Sequence, residues 1–168
     1  MPRLLPLADG VAGRLYLSAM PGRGDGFAAA RERLIAREIG LVVCLTPDDE
    51  IRRAAPDYAR AIDRGALPWR HRAFPIANFG IADVPIDYLA LVTDVADELR
   101  AGERVLIHCY AGIGRTGTLA TAVLMALGLT ESKARRRVIQ AGSCPETPGQ
   151  GTMVSWISAR LKERTTKE

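Results

Sequence analysis

The sequence predicts an α/β domain with a mostly parallel central sheet of four to five strands flanked by helices. Three observations lead there. Short apolar, β-branched runs alternate along the chain with segments of helical period. One of these runs, LVVCLT (41–46), is apolar at nearly consecutive positions, as a strand covered on both faces is. A later segment, GTLATAVLMALG (117–128), is apolar nearly all round, the pattern of a helix buried at the centre of a domain. The chain has 168 residues, enough for one domain with one core, and no repeat or low-complexity linker divides it, so 1–168 reads as a single domain.

The elements follow in order. RLYLS (14–18) reads as a first strand. GFAAARERLIAREIG (26–40) sets Leu34, Ile35 and Ile39 on one helical face and stops at Gly40. LVVCLT is the second strand, and PDDEIRRAAPDYARAIDRG (47–65) is polar, helical in part and broken by Pro56. WRHRAFPI (69–76) is the third strand. DYLALVTDVADELRAG (87–102) carries Leu89, Val92, Ala96 and Leu99 on one stripe and ends at Gly102. RVLIHC (104–109) is the fourth strand, followed by the apolar helix at 117–128. TESKARRRVIQAG (130–142) opens with a Thr suited to an N-cap, and TMVSWISARLKER (152–164) is a last amphipathic helix.

Composition narrows the function. Apolar residues make up 48% and charged residues 25%, as in globular proteins. Net charge is +4, which suits an anionic substrate but not nucleic acid, and no aromatic platform is interleaved with the basic residues. MPRLLPLADG lacks the sustained apolar stretch of a secretory leader, and the longest apolar run, LATAVLMALGL (119–129), is too short to span a bilayer. The expectation is a cytoplasmic protein with no membrane and no nucleic-acid partner. Cys44, Cys109 and Cys144 form no CxxC pair, so neither a disulfide scaffold nor a zinc site is expected, and no metal or cofactor is called for.

The chemistry is concentrated in HCYAGIGRTG (108–117). The stretch joins a strand to a helix, at the carboxyl edge where open α/β sheets bind ligands. A helix amino terminus offers free N–H groups to an anion, and Gly112 and Gly114 let the backbone curl so that successive N–H groups converge. Three readings compete. Cys109 is a small buried hydrophobe; or Gly112, Gly114 and Gly117 form a dinucleotide turn, which needs a βαβ unit although no convincing strand follows; or Cys109 is a nucleophile. A free thiol, with a pKa of about 8.5, must be made more acidic to react as thiolate, and a helix amino terminus plus a guanidinium do that. Arg115 lies five residues beyond Cys109 and can grip two phosphoryl oxygens as a planar fork. Thr116 puts a hydroxyl within reach of the sulfur.

The pattern HCxxGxxR[ST]G resembles the signature of the protein tyrosine and dual-specificity phosphatases. LYLSAMPG, LVVCLTPDDE, FPIANFG and VLIHCYAGIGRTGTLATAVLM are similar, in order, to the small cyclin-dependent-kinase-associated phosphatases and their compact microbial relatives. The resemblance implies that Cys109 attacks phosphorus to form a thiophosphate intermediate. Arg115 and the N–H groups of Tyr110, Ala111, Gly112, Ile113, Gly114 and Arg115 would hold the phosphoryl oxygens, or those of similar oxyanions. Thr116 would help the thiolate leave, and His108 would orient the loop. Gln150, in ETPGQ (146–150), matches a family glutamine that positions water, or is an ordinary loop amide.

One departure stands out. The family's general acid is an Asp on the loop before the preceding helix, and FPIANFGIADVP (74–85) has Asn78 at that position. An amide cannot supply the proton. Asp83, on the same loop, is the substitute acid or else a helix cap. Asp48, Asp49 and Glu50 form a second acidic group after another strand end, ranked below Asp83 because most such clusters are solvated. Cys44 and Cys109 end two strands and could form a protective disulfide, or Cys44 is an inert core thiol. The expected substrate is a phosphotyrosine protein or peptide, with phosphoserine and phosphothreonine as further candidates, because YAGIG (110–114) lacks the lysines of phosphoinositide-preferring relatives. The alternatives are a catalytically weak phosphoprotein-binding module on the same fold, or a phosphatase of a non-protein ester such as a phosphoinositide.

Overall fold

The computed structural model describes residues 1–165. Five strands form one sheet: β1 (Arg3–Leu5), β2 (Arg14–Ala19), β3 (Leu41–Cys44), β4 (Arg70–Ala73) and β5 (Arg104–Cys109). Their order is β1-β2-β5-β3-β4, with β1 antiparallel to β2 and all other pairs parallel. The sheet is thus mostly parallel, as expected. The chain leaves room for β5 between β2 and β3, so the order of the strands reverses at β5. Its carboxyl end is the switch point where such sheets open a crevice.

Seven helices cover the sheet: α1 (Phe27–Ile35), α2 (Asp48–Ala54), α3 (Pro56–Asp63), α4 (Pro85–Arg100), α5 (Gly114–Ala126), α6 (Glu131–Gln140) and α7 (Pro148–Thr165). Strand side chains alternate between two cores. Leu15, Leu17, Val43, Val105, Ile107 and Cys109 join one cluster with apolar residues of α4 to α7. Tyr16, Val42, Cys44 and Leu106 join the other with Phe27, Ile51 and Tyr58, on the face of α1 to α3. From Gly114 to Met125 every residue of α5 is buried, because β5, α4, α6 and α7 enclose it.

The sequence expectations need four corrections. β1 falls in MPRLLPLADG, where no strand is expected; three edge residues between Pro2 and Pro6 are too few to show a period. The helix expected across 26–40 ends at Ile35, which is 45% exposed, and leaves Ile39 beyond it, while residues 47–65 break at Pro56 as expected, because proline cannot continue α2 but fits the first turn of α3. α5 starts at Gly114, three residues before the apolar run, so the loop from β5 is shorter and Arg115 and Thr116 are helical. α7 starts at Pro148 rather than near Thr152, again with proline in the first turn. Thr130 caps α6 as expected, its hydroxyl accepting from the Lys133 N–H at 3.4 Å.

The central position of α5 gives a direct expectation. Leu119→Ala empties space in a fully enclosed helix and lowers unfolding free energy by about 2–5 kcal/mol. Ile139→Ala, at a position 61% exposed, changes it by no more than about 0.5 kcal/mol. Denaturant titration of the two variants checks both values.

Candidate active site

The loop after β5 closes on itself at Cys109. The Gly112 N–H donates to Cys109 Sγ over 3.3 Å. Gly112 has φ +72°, and a Cβ there would run into the Ser18 carbonyl, so only glycine fits. The Tyr110 carbonyl accepts from the Met20 N–H at 3.2 Å, which ties the loop to the segment after β2. Cys109 is 3% exposed and sits at the floor of a cavity of about 230 Å³. Asn78, Phe79, Tyr110, Arg115, Glu146 and Gln150 line its walls.

Arg115 is 4% exposed, and both terminal nitrogens are fully used. Nη1 donates to Glu50 Oε1 at 3.2 Å and to the Ile76 carbonyl at 2.8 Å. Nη2 donates to Glu50 Oε2 at 3.1 Å and to Asn78 Oδ1 at 3.3 Å. Glu50 therefore takes the end of the guanidinium with a matching fork. The edge formed by Nε and Nη2 remains for a phosphoryl group, and Asn78 holds half of it. The first turn of α2 delivers Glu50, because Asp48, Asp49 and Glu50 favour a helix amino terminus. Sequence reasoning ranks this acidic group low as mostly solvated. Glu50 is the exception, with its side chain 13% exposed and paired to a buried cation. Only its pairing in space with Arg115, 65 residues away, distinguishes it from Asp48 and Asp49.

His108 is fully buried. Its Nε2 meets the Tyr58 hydroxyl at 3.0 Å and its Nδ1 meets the Cys109 carbonyl at 3.3 Å. Burial pushes the imidazole down to about 3, so it is neutral and orients the loop. Thr116 is fully buried, but its hydroxyl has no hydrogen-bond partner; the sulfur is served by Gly112 instead. Gln150 is 1% exposed, accepts from the Glu146 N–H at 2.8 Å and donates to the Gly80 carbonyl at 3.2 Å. It ties the start of α7 to the loop carrying Asn78.

Asp83 is exposed and does not line the cavity. It does not cap α4 either: the cap position is Val84, with no side-chain hydrogen bond. The loop turns earlier, where the Gly80 N–H donates to the Ala77 carbonyl at 2.8 Å and Phe79 takes φ +58°. The carboxylate that does line the cavity is Glu146, which sequence reasoning does not single out. It lies over Gly114 at the start of α5, where a Cβ would run into it. Cys44 pairs with His108 in the ladder, which puts its side chain on the opposite face of the sheet from Cys109. Burial pushes the Cys44 thiol up to about 12, so it stays protonated, and both cysteines are free. Among the described residues no His, Cys, Asp and Glu cluster could hold a metal, and no helix is long and apolar enough to cross a membrane.

Two outcomes are expected. Glu50→Ala leaves a buried guanidinium without its carboxylate and lowers stability by about 3–5 kcal/mol, whereas breaking the exposed Arg53–Asp49 pair by Asp49→Ala costs less than about 1 kcal/mol, both read from urea titrations. The second concerns acid. His108 binds its proton near 6.5 when unfolded and near 3 when folded, so below 6.5 the unfolded chain takes up the proton and the folded chain does not. Its contribution to stability is retained above 6.5 and lost as pH falls toward 3. The His108→Asn variant therefore loses about 2 kcal/mol less than wild type between roughly pH 7 and pH 5.

The chain resembles several solved structures. A kinase associated phosphatase, crystallised with its catalytic-site cysteine replaced by serine, superposes with a TM-score of 0.82 at 18% identity, covering 96% of each chain. Tk-PTP in its active form gives 0.67 at 25% identity, covering 95% of this chain and 98% of its own. PTPMT1 gives 0.76 at 16% identity over 100% of both chains, and its complex with PI(5)P gives 0.74 at 15%, covering 90% of this chain and 94% of that one. No match is found among curated proteins. The family model for the Swiss Army Knife DSP-PTPase phosphatase domain, PTP-SAK, matches residues 23–165, which include β5, its loop and the whole of α5. With Cys109 at the floor and Arg115 in the wall of one cavity, the chain belongs to this family of dual-specificity-type phosphatase domains.

Proposed function

We propose that the protein hydrolyses phosphate monoesters on proteins through a covalent cysteinyl-phosphate, with phosphotyrosine as the preferred group. The observation that carries this reading is the meeting of the Cys109 thiol, the Arg115 guanidinium and the start of α5 around one cavity. A phosphoryl dianion in that cavity faces the Nε edge of Arg115, the helix dipole and the loop N–H groups, which together stabilise its charge in the transition state. Cys109 Sγ bonds to phosphorus as the ester oxygen leaves with the bonding pair. Water then attacks phosphorus, the P–S bond breaks and the thiolate returns. Gln150, beside the cavity, suits the positioning of that water, and Thr116, under the loop, suits stabilising the departing thiolate. His108 acts only through the loop it holds.

Two features support the aromatic substrate. Phe79, 60% exposed, and Tyr110, 37% exposed, flank the mouth and give a phenyl ring apolar walls. The loop segment 110–114 has no lysine to pair with the further phosphates of an inositol lipid. PTPMT1, which shares the fold, is solved in complex with PI(5)P, so the lipid ester is the reading to test against.

The leaving oxygen needs a proton, and the choice of acid follows from access. Asp83 lies outside the cavity and the Asn78 amide cannot supply a proton, whereas Glu146 lines the cavity, its carboxylate over Gly114.

The test is turnover of a phosphotyrosine peptide by wild type and by Cys109→Ser. Wild type turns over and the variant is silent; a wild type no faster than the variant makes the protein a phosphoprotein binder. Vesicles containing PI(5)P are hydrolysed more slowly than the peptide, and a reversed preference moves the substrate to lipid. For the acid, Glu146→Gln slows alkyl phosphates by about 100-fold or more and p-nitrophenyl phosphate far less, while Asp83→Asn treats both alike. The reverse pattern returns the role to Asp83.

A further inference from the structure

The loop after β5 is held from behind by residues that never reach the cavity. Arg3, on the edge strand β1, sends Nη2 to the Gly112 carbonyl at 2.6 Å and to Ser143 Oγ at 2.9 Å. Its Nη1 donates to the Gly142 carbonyl at 3.0 Å. Ser143 Oγ donates in turn to the same Gly112 carbonyl at 2.7 Å. Both lone pairs of one carbonyl oxygen are therefore occupied, one of them by a cation. Ser143 is 2% exposed, and it follows α6 directly, so two remote parts of the chain converge on this peptide.

A trans peptide points its C=O and its N–H in opposite directions, and no peptide bond among the described residues is cis. Drawing the Gly112 oxygen outward toward Arg3 and Ser143 turns the Ile113 N–H inward. The Met20 N–H does the same two peptides earlier: it holds the Tyr110 oxygen outward and so turns the Ala111 N–H inward. A guanidinium on the carbonyl also polarises the peptide, which makes the Ile113 N–H a stronger donor. Without these restraints Gly112, at φ +72° and with no Cβ, is free to let that peptide rotate.

We propose that Arg3 is a positioning residue for catalysis, which with Ser143 locks the Gly112–Ile113 peptide so that the Ile113 N–H faces the phosphoryl group. The role rests on the phosphatase reading of the cavity, and it is distinct from every contact made inside it.

The experiment uses the full chain and four variants. Arg3→Ala lowers kcat on p-nitrophenyl phosphate about 10–100-fold, since removing an oxyanion donor outright costs about 100–1,000-fold and this loss is indirect. Inhibition by inorganic phosphate weakens in parallel. Arg3→Lys recovers part of each effect, and Ser143→Ala shows a smaller loss of the same kind. Arg137→Ala is the folding control: it removes contacts with the Pro6 and Leu7 carbonyls at 3.2 and 2.5 Å, which also anchor the amino-terminal segment, and it lowers Tm with kcat kept. Unchanged kcat and phosphate inhibition in Arg3→Ala overturn the proposal. So does a loss in Arg3→Ala that matches its fall in Tm on the scale set by Arg137→Ala. A wild type that hydrolyses nothing sinks the phosphatase reading alone. Binding of inorganic phosphate, measured by calorimetry, reads the loop directly: in that case a weaker Kd in Arg3→Ala supports the positioning role and an unchanged one overturns it.

Discussion

A guanidinium cannot be buried unless its donors are satisfied, and the site is organised around that demand. Arg115 draws one carboxylate from α2, one carbonyl and one amide from the segment after β4, and is itself fixed in the first turn of α5. Three segments far apart in sequence are thereby brought to one point. The pair with Glu50 contributes little net stability once desolvation is counted, but it sets which edge of the fork faces the cavity. A Lys could neutralise Glu50, but it could not keep a second, oriented edge in reserve.

The alternation of side chains across the sheet divides labour at the same point. Cys109 faces the core of α4 to α7, and His108, one residue earlier, faces the core of α1 to α3. Each strand end thus offers its reactive group to one layer and its support to the other. The same alternation separates Cys44 from Cys109, although both end neighbouring strands. Bringing their sulfurs together requires the end of β5 to come apart, including the neutral His108 and its contact with Tyr58.

Much of this is legible in the residues. The parallel sheet, the central helix and the Cys109-to-Arg115 loop follow from period and spacing, because each depends on neighbours within about ten positions. What escapes such a reading depends on distance in space. β1 carries no period in its three residues, yet it brings Arg3 to the loop. Glu50 looks like the other acids of its turn until Arg115 meets it. Asp83 sits at a reasonable chain distance, but the turn at Ala77 to Gly80 leaves it outside, while Glu146 arrives from the segment before α7, far along the chain.

The contact between Asn78 and Arg115 gives the resting enzyme an internal stand-in for its ligand. An amide oxygen occupies the half-edge of the guanidinium that an ester phosphate would take. Arrival of substrate is then an exchange rather than an addition: one acceptor leaves as another enters, and the loop that carries Asn78 must yield. Small oxyanions gain only the difference between their grip and that of the amide, which sets a floor under their dissociation constants. A substrate whose ring also engages Phe79 recovers that difference from the same loop it displaces, so opening the site and recognising the ester become one event.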